Sequence, residues 1–487
     1  MKERKMANAR LENMVAPTDA TLKQVMNLMS ANTIGVVFIC DSDGILRGVI
    51  TDGDIRRAFL TGATVEQPCQ PYLRPSYTAG RVGVPRNENL ALMSRRILHL
   101  PLVDADGRLV DYLSWKDMWH VPLVSPSLSG NELRYVEECI STGWISSQGP
   151  FIQRFEAMAR DFLGTGFALS TANGTLSLQL AIQALDIGPG DEVIVPNFTF
   201  GASANAVMQR GATPVFADID PASWTLSPES VAALVGPRTK AIMPVHIYGQ
   251  ACDMDPIMDI ARSHGLKVIE DCAEALGAEY KGRRVGSIGD VGCFSFFANK
   301  IITTGEGGLV TVNDPQLYER LKMLRDHGVK PERRYWHLEP GTNCRMTNLQ
   351  AALGVAQMER VDEFLALRDR LAERYDAELA GIRGIVPHRA ANWGRKVCWL
   401  YSVVVEPESF GMDRDSLLAA LRELGVEARP VFPALDDQPA FVGSRAGDVE
   451  ASRSLAVNGL SLPTGNEMSV IEVVRVVEAL RILGRTE

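Results

Sequence analysis

Short apolar runs alternate with amphipathic stretches through the middle of the chain. Residues 193–195, 214–217 and 241–245 read as buried strands, while 201–210 and 255–264 carry the helical period. Such alternation predicts an α/β fold with a mostly parallel sheet covered on both faces. Upstream, Ser129-Gly130-Asn131-Glu132 reads as a capping box opening a helix over 133–140. Downstream, 351–379 is rich in Ala, Leu, Glu and Arg and predicts one long helix or two. A smaller α+β domain follows, with a strand over 397–405 and a helix over 415–424.

The first quarter has a different pattern, an internal repeat at an offset of 63 residues. Residues 37–54 align without gaps on 100–117. The copies share Asp41/Asp104, Asp43/Asp106, Gly44/Gly107, Leu46/Leu109 and Asp54/Asp117, and Thr51 is answered by Ser114. Each copy reads as strand, Asp-x-Asp-Gly turn, strand, then a helix from near Asp54 or Asp117. Helical stretches at 21–29 and 88–98 precede the pairs. The predicted layout is a tail over 1–14, a tandem α/β module over 15–121 and a short stiff link over 122–128. A large domain over 129–375 and a small C-terminal domain over 376–487 complete it.

Composition agrees with this division. A chain of 487 residues is too long for one ordinary core. Its 46% hydrophobic and 7% aromatic content is that of a soluble globular enzyme. A net charge of −9 argues against broad nucleic-acid binding. Met1-Lys2-Glu3-Arg4-Lys5-Met6 is charged and lacks a signal-peptide apolar segment, and no apolar run is long enough to span a bilayer. The eight cysteines are scattered without a Cys-x-x-Cys pair and read as reduced thiols in the cytoplasm. Seven histidines without ligand spacing predict no metal.

Three elements carry candidate chemistry. Lys300 follows an apolar run and precedes a Thr/Gly turn; a partly desolvated amine there loses basicity and becomes a nucleophile suited to Schiff-base formation. Asp271 closes the strand-like run Leu266-Lys267-Val268-Ile269-Glu270-Asp271, at the sheet edge where α/β folds place ligands. It equally suits the N-cap of a helix from Ala273. Ser170-Thr171-Ala172-Asn173-Gly174-Thr175 is a small-residue turn opening a helix, whose free N–H groups and dipole favour a phosphate.

From about Pro126 onward the chain resembles the fold-type-I, pyridoxal-phosphate-dependent sugar aminotransferases that act on nucleotide-linked keto sugars. The resemblance rests on Thr142-Gly143-Trp144-Ile145-Ser146-Ser147-Gln148-Gly149, Pro244-Val245-His246-Ile247-Tyr248-Gly249, Glu270-Asp271-Cys272-Ala273-Glu274-Ala275, the Lys300 segment and Arg345-Met346-Thr347-Asn348. It implies that Lys300 forms the Schiff base and moves protons, and that Asp271 pairs with the pyridinium nitrogen. Gly174, Thr175 and Ser295 would hold the phosphate, Phe200 would stack on the cofactor, and Glu274 would lie near its hydroxyl. Asn343 would reach the phosphate of a neighbouring subunit, so a homodimer with shared active sites is implied.

A dehydrating branch of the same family carries histidine in place of the lysine, so Lys300 favours amino transfer. The implied donor is glutamate and the implied acceptor GDP-4-keto-6-deoxymannose, in surface-polysaccharide (O-antigen) biosynthesis. A UDP- or dTDP-linked 3- or 4-keto sugar is the alternative. Two segments depart from the pattern: Gly341-Thr342-Asn343-Cys344 lacks two expected aromatic rings, and Pro433-Ala434-Leu435-Asp436-Asp437 lacks a frequent histidine.

The repeat resembles a tandem CBS pair, a regulatory module that commonly binds adenine nucleotides or S-adenosylmethionine. Gly48-Val49-Ile50-Thr51-Asp52-Gly53-Asp54 carries the signature whole, whereas Asp111 replaces the glycine in the second copy. Thr51, Asp54, Ser114 and Asp117 are the candidate ligand residues; Thr51 and Ser114 equally suit helix capping. A non-catalytic nucleotide sensor is the remaining alternative for the whole chain.

Overall fold

The computed structural model describes residues 9–73, 76–84, 86–94, 97–114, 120–330, 333 and 335–484. The chain divides into two units, Met1–His120 and Val121–Glu487.

In the first unit, two strand pairs repeat at the sequence offset. Val36–Cys40 pairs antiparallel with Leu46–Thr51, and His99–Val103 with Leu109–Ser114. The registers match: Ile39 faces Gly48 as Leu102 faces Asp111. The repeated aspartates build the turns. Asp41 Oδ1 accepts from the N–H groups of Asp43 and Ile45, both at 3.0 Å, and Asp104 Oδ1 accepts from those of Asp106 and Arg108 at 3.0 and 2.8 Å. The turns also meet reciprocally, Leu46 N donating to Gly107 O and Leu109 N to Gly44 O, both at 3.0 Å.

The predicted 21–29 helix is Leu22–Asn32, capped by a Thr21/Gln24 box. The one predicted at 88–98 is shorter, Arg86–Ala91, because Ser94 and Ile97 exchange backbone hydrogen bonds that turn the chain into the next strand. The helix predicted from Asp117 lies outside the described residues.

The second unit is built on an eight-stranded sheet. Its spatial order is Arg445–Ala446, Thr213–Ala217, Glu192–Pro196, Thr239–Ile242, Lys267–Asp271, Val291–Ser295, Gly308–Val312 and Phe167–Thr171. Gly308–Val312 is antiparallel to both neighbours and the other pairings are parallel. Successive residues of one strand feed opposite cores: Ile194, Val215 and Val268 enter one apolar cluster, while Val193, Phe216 and Ile269 enter the other. That alternation is why these strands read as unbroken apolar runs.

Residues 351–379 fall in two helices, Asn348–Met358 and Val361–Leu379. A four-stranded sheet of Ile385–Pro387, Tyr401–Val405, Gly459–Leu462 and Arg429–Pro430 follows. The strand expected over 397–405 starts later, at Tyr401, because Val397 N donates to Gly249 O at 3.0 Å beside the large sheet.

Two local expectations are corrected. The stretch read as a link packs into this unit, with Leu123 buried and its carbonyl accepting from Thr464 N at 2.7 Å. The capping box at 129–132 does not form. The helix begins at Glu132, whose carboxylate takes Gly130 N at 2.8 Å and the Gln357 amide at 2.7 Å. Asn131 at the N-cap makes no side-chain capping bond.

Candidate active site

Asp271 is delivered by the carboxyl end of Lys267–Asp271 and is buried. Its Oδ2 accepts from Ser203 Oγ at 2.8 Å and its Oδ1 from Ala273 N at 3.1 Å. The second bond closes a turn and no helix follows, so the capping alternative reduces to a local turn. Burial raises the Asp271 pKa, opposed by Ser203, Ala273 and the Lys300 charge.

Five residues past the strand Val291–Ser295, Lys300 enters the same pocket. Its Nζ lies 3.8 Å from Glu274 Oε1 and 3.8 Å from the centroid of the Trp399 ring. Desolvation lowers the lysine pKa, against the pull of Glu274 and Asp271. The same desolvation raises Glu274 to about 7. Glu274 is fixed by Tyr248 N, which donates to its Oε2 at 2.8 Å. A lowered amine beside a raised carboxyl is a pair whose proton affinities have been brought closer together.

Asn173 caps the helix Gly174–Ala184 by accepting from Leu176 N at 2.9 Å. The first N–H groups, of Gly174 and Thr175, have no acceptor within a helix. Ser295 adjoins them closely. A Cβ on Gly174 would lie 2.7 Å from Ser295 Cβ, so only glycine lets this hydroxyl-bearing strand end approach the helix start. Phe200 is 61% exposed, with its ring centroid 5.8 Å from that of Phe432, which rules out ordinary core packing for this ring.

Asn343 is exposed, and its Oδ1 accepts from Arg345 Nε at 3.2 Å. Its segment runs beside the 170–175 turn of its own chain, where Ala172 N donates to Cys344 O at 2.8 Å. Cys344, at a position expected to be aromatic, is buried. Asp436, in the segment lacking the histidine, accepts from Asn197 Nδ2 at 2.7 Å and pairs with Arg453.

Sequence reasoning missed Ser203, Tyr248 and Trp399. Tyr248 lies in the motif at 244–249, where nothing local marks its backbone as a ligand of Glu274, and Ser203 and Trp399 carry no local signal at all. Tyr248 occupies the left-handed region at φ 48°, and its ring stacks on Trp399 and Phe432 at 5.6 and 5.4 Å.

His246, Glu270 and Cys272 form the group with metal-ligand spacing among the described residues. Glu270 and His246 are already engaged as hydrogen-bond acceptors. Glu270 accepts from the N–H groups of Gly286, Ile288 and Gly289 at 2.7–2.8 Å. His246 Nδ1 accepts from Cys252 N at 3.0 Å, so the nitrogen 3.1 Å from Glu270 carries the proton. The arrangement braces the strand beneath Asp271.

In the first unit, Thr51 and Asp54 come together in a capping box. Thr51 N and Oγ1 donate to Asp54 Oδ2 at 3.0 and 2.6 Å, and Arg57 pairs with the other carboxylate oxygen. Ser114 ends its strand opposite His99, while Asp117 lies outside the described residues. Asp111, at the replaced glycine, lies 3.7 Å from Arg10.

The model of the DegT/DnrJ/EryC1/StrS aminotransferase family matches residues 126–481. The chain belongs to this family. It is an enzyme of the fold-type-I class, whose members and structural neighbours use pyridoxal phosphate. A CBS domain model matches residues 11–61, the region of the first repeat copy.

GDP-perosamine synthase of Caulobacter vibrioides is 49% identical over 366 residues, covering 75% of this chain and 98% of that protein. The Vibrio cholerae protein of the same name is 44% identical over 345 residues, covering 71% and 94%. Among solved structures, S. venezuelae DesV in complex with a ketimine intermediate superposes with a TM-score of 0.71 at 36% identity, covering 76% of this chain and all of that one. Among the described residues no helix is long and apolar enough to cross a membrane.

Proposed function

We propose that this protein transfers an amino group from glutamate to GDP-4-keto-6-deoxymannose, forming GDP-perosamine, with pyridoxal phosphate as cofactor. The observation that carries the reading is the convergence of Lys300, Asp271 and Glu274 in one buried pocket, in a chain 49% identical to a GDP-perosamine synthase.

The pocket suits the cofactor. The Gly174 and Thr175 N–H groups and Ser295 Oγ offer phosphate donors at one wall. The buried Asp271 carboxylate, whose charge is favoured by Lys300 and His246, suits a protonated ring nitrogen. When bound, the cofactor supplies an amine-accepting carbonyl and a conjugated ring that takes up negative charge. The chain supplies the rest. Asp271, oriented by Ser203, keeps the ring nitrogen protonated. Phe200 offers a ring face, and Glu274 a polar group near the cofactor hydroxyl. Lys300 Nζ, its basicity lowered by burial, takes the proton from the substrate carbon and returns it at the other end.

Asn343 completes the phosphate site from a second subunit in this reading, which makes the working enzyme a homodimer. The CBS pair binds an adenine nucleotide and biases the enzyme between two states of unequal nucleotide affinity. A cytoplasmic role in surface-polysaccharide synthesis accompanies this assignment. A second reading, a different nucleotide-linked 3- or 4-keto sugar, is favoured by the changed segments at 341–344 and 433–437.

The test is a single turnover of protein loaded with pyridoxamine phosphate and mixed with GDP-4-keto-6-deoxymannose, with the aminated sugar read by mass. Product from the native protein but not from Lys300→Ala supports the reading. Glutamate acceptance without sugar product moves the assignment to the second reading. No reaction with either overturns both.

A further inference from the structure

Arg368 is fully buried in the middle of the helix Val361–Leu379, and among the described residues no carboxylate pairs with it. Burial lowers its pKa to about 10, so it stays charged at neutral pH. A buried cation satisfied only by neutral groups is costly and calls for a reason.

Its contacts supply one. Nη1 donates to Trp399 O at 2.7 Å and Thr464 O at 2.6 Å, and Nε donates to Asn466 Oδ1 at 2.7 Å. Nη2 has no partner among the described residues. Two of these partners reach the catalytic lysine from both sides. Trp399 Nε1 donates to Asn299 O at 2.8 Å, and Asn466 Nδ2 donates to Ile301 O at 2.9 Å. The carbonyls immediately before and after Lys300 are therefore gripped by two residues that one guanidinium holds, Asn466 by its side chain and Trp399 by its backbone carbonyl. Trp399 also puts its ring 3.8 Å from Lys300 Nζ. The planar fork of arginine matches this task, holding divergent acceptors in fixed directions where lysine would offer a single point charge.

We propose that Arg368 is the positioning residue for Lys300, acting through Trp399 and Asn466 to fix the height and direction of the amine. The inference rests on the assignment of Lys300 as the Schiff-base lysine. Arg368 touches neither substrate nor cofactor in this role. Residues flanking the small C-terminal sheet thereby contribute to the chemistry of a lysine that follows a strand of the large one.

Three variants test it. Arg368→Met removes the fork. Asn466→Asp keeps the acceptor for Arg368 and loses the donor to Ile301 O, and Trp399→Phe keeps a ring and loses the donor to Asn299 O. Competitive acetylation of cofactor-free protein across pH, read on the Lys300 peptide by mass, gives the amine pKa without any turnover. Steady-state kinetics with glutamate gives the second readout.

The expected result is a Lys300 pKa displaced by about one unit in folded Arg368→Met. Its kcat falls about 10- to 100-fold with KM for glutamate within about twofold, because a misaimed amine affects the step more than binding. Asn466→Asp and Trp399→Phe move both readouts in the same direction by less. If all folded variants lose heat stability but keep the native Lys300 pKa and kcat, the proposal is overturned and Arg368 is only a strut. If Arg368→Met does not fold, the two link variants decide by the same criterion. Borohydride trapping of pyridoxal phosphate on the native protein separates the underlying assignment: failure to label Lys300 there sinks that assignment, whatever the variants do.

Discussion

Lys300 and Glu274 face each other at 3.8 Å inside a buried pocket, and burial moves the two groups toward each other in proton affinity. The amine is lowered and the carboxyl is raised to about 7. At 3.8 Å the two form a long ion pair, whose attraction opposes the effect of burial on both groups.

That relationship makes stability depend on pH in a stated direction. Between its ordinary value of 4.5 and about 7, Glu274 holds a proton in the folded chain that the unfolded chain has released. Stability therefore falls as pH rises through this window, by an amount on the order of 3 kcal/mol. Glu274→Gln keeps an acceptor for Tyr248 N and cannot ionise. Urea unfolding of cofactor-free protein should show the variant gaining on the native protein from pH 5 to pH 8. Parallel stability curves over that range would refute the buried-carboxyl account.

Asp271 is predicted to matter through its charge more than through its shape. Asp271→Asn can keep the Ser203 bond but cannot hold a ring nitrogen protonated. We expect kcat/KM to fall at least about 100-fold, the scale of losing a preorganised electrostatic partner. Ser203→Ala removes one hydrogen bond to the carboxylate and should cost about 3- to 10-fold. Equal losses in the two variants would show that orientation, and not charge, is what the pocket requires.

Much of this was legible in the sequence because it depends on local pattern. The parallel strands read directly, since each feeds apolar residues to both faces; Asp271 stood out at a strand end and Lys300 a few residues past another. The 63-residue repeat announced two matching strand pairs, and the shared Asp41 and Asp104 proved to be turn-builders. What the chain could not reveal was pairing across distance. Ser203 and Asp271 are 68 positions apart, and Arg368 and Asn466 are 98 apart, so neither bond leaves a periodic trace. The failed capping box at 129–132 has the same origin. Glu132 found a better partner in Gln357, and tertiary contact overrode the local motif.

In the first unit the Thr51–Asp54 box should behave as a working helix cap. Thr51→Ala removes its hydroxyl and should destabilise the helix Asp52–Leu60 by about 1 kcal/mol. Amide hydrogen exchange over residues 52–60 should then quicken about fivefold, the equivalent of that energy in a local opening equilibrium. Unchanged exchange there would mean that the cap adds nothing to helix stability, leaving Thr51 free for another task.

Gly249 is the backbone position on which the site leans most. It sits at φ +82°, and a Cβ there would stand 1.9 Å from Val397 O, a backbone atom that cannot step aside alone. Its neighbour Tyr248 is already left-handed and must stay so for its N–H to reach Glu274. Gly249→Ala should therefore push the 397–400 segment away and carry Trp399, which faces Lys300, with it. The expected cost exceeds about 3 kcal/mol, in the range of strain plus a lost buried contact. If the variant folds, the acetylation-derived pKa of Lys300 should move as well, because Trp399 and Glu274 both depend on this turn. A variant that is less stable yet keeps a native Lys300 pKa would show that the turn supports the fold and not the site.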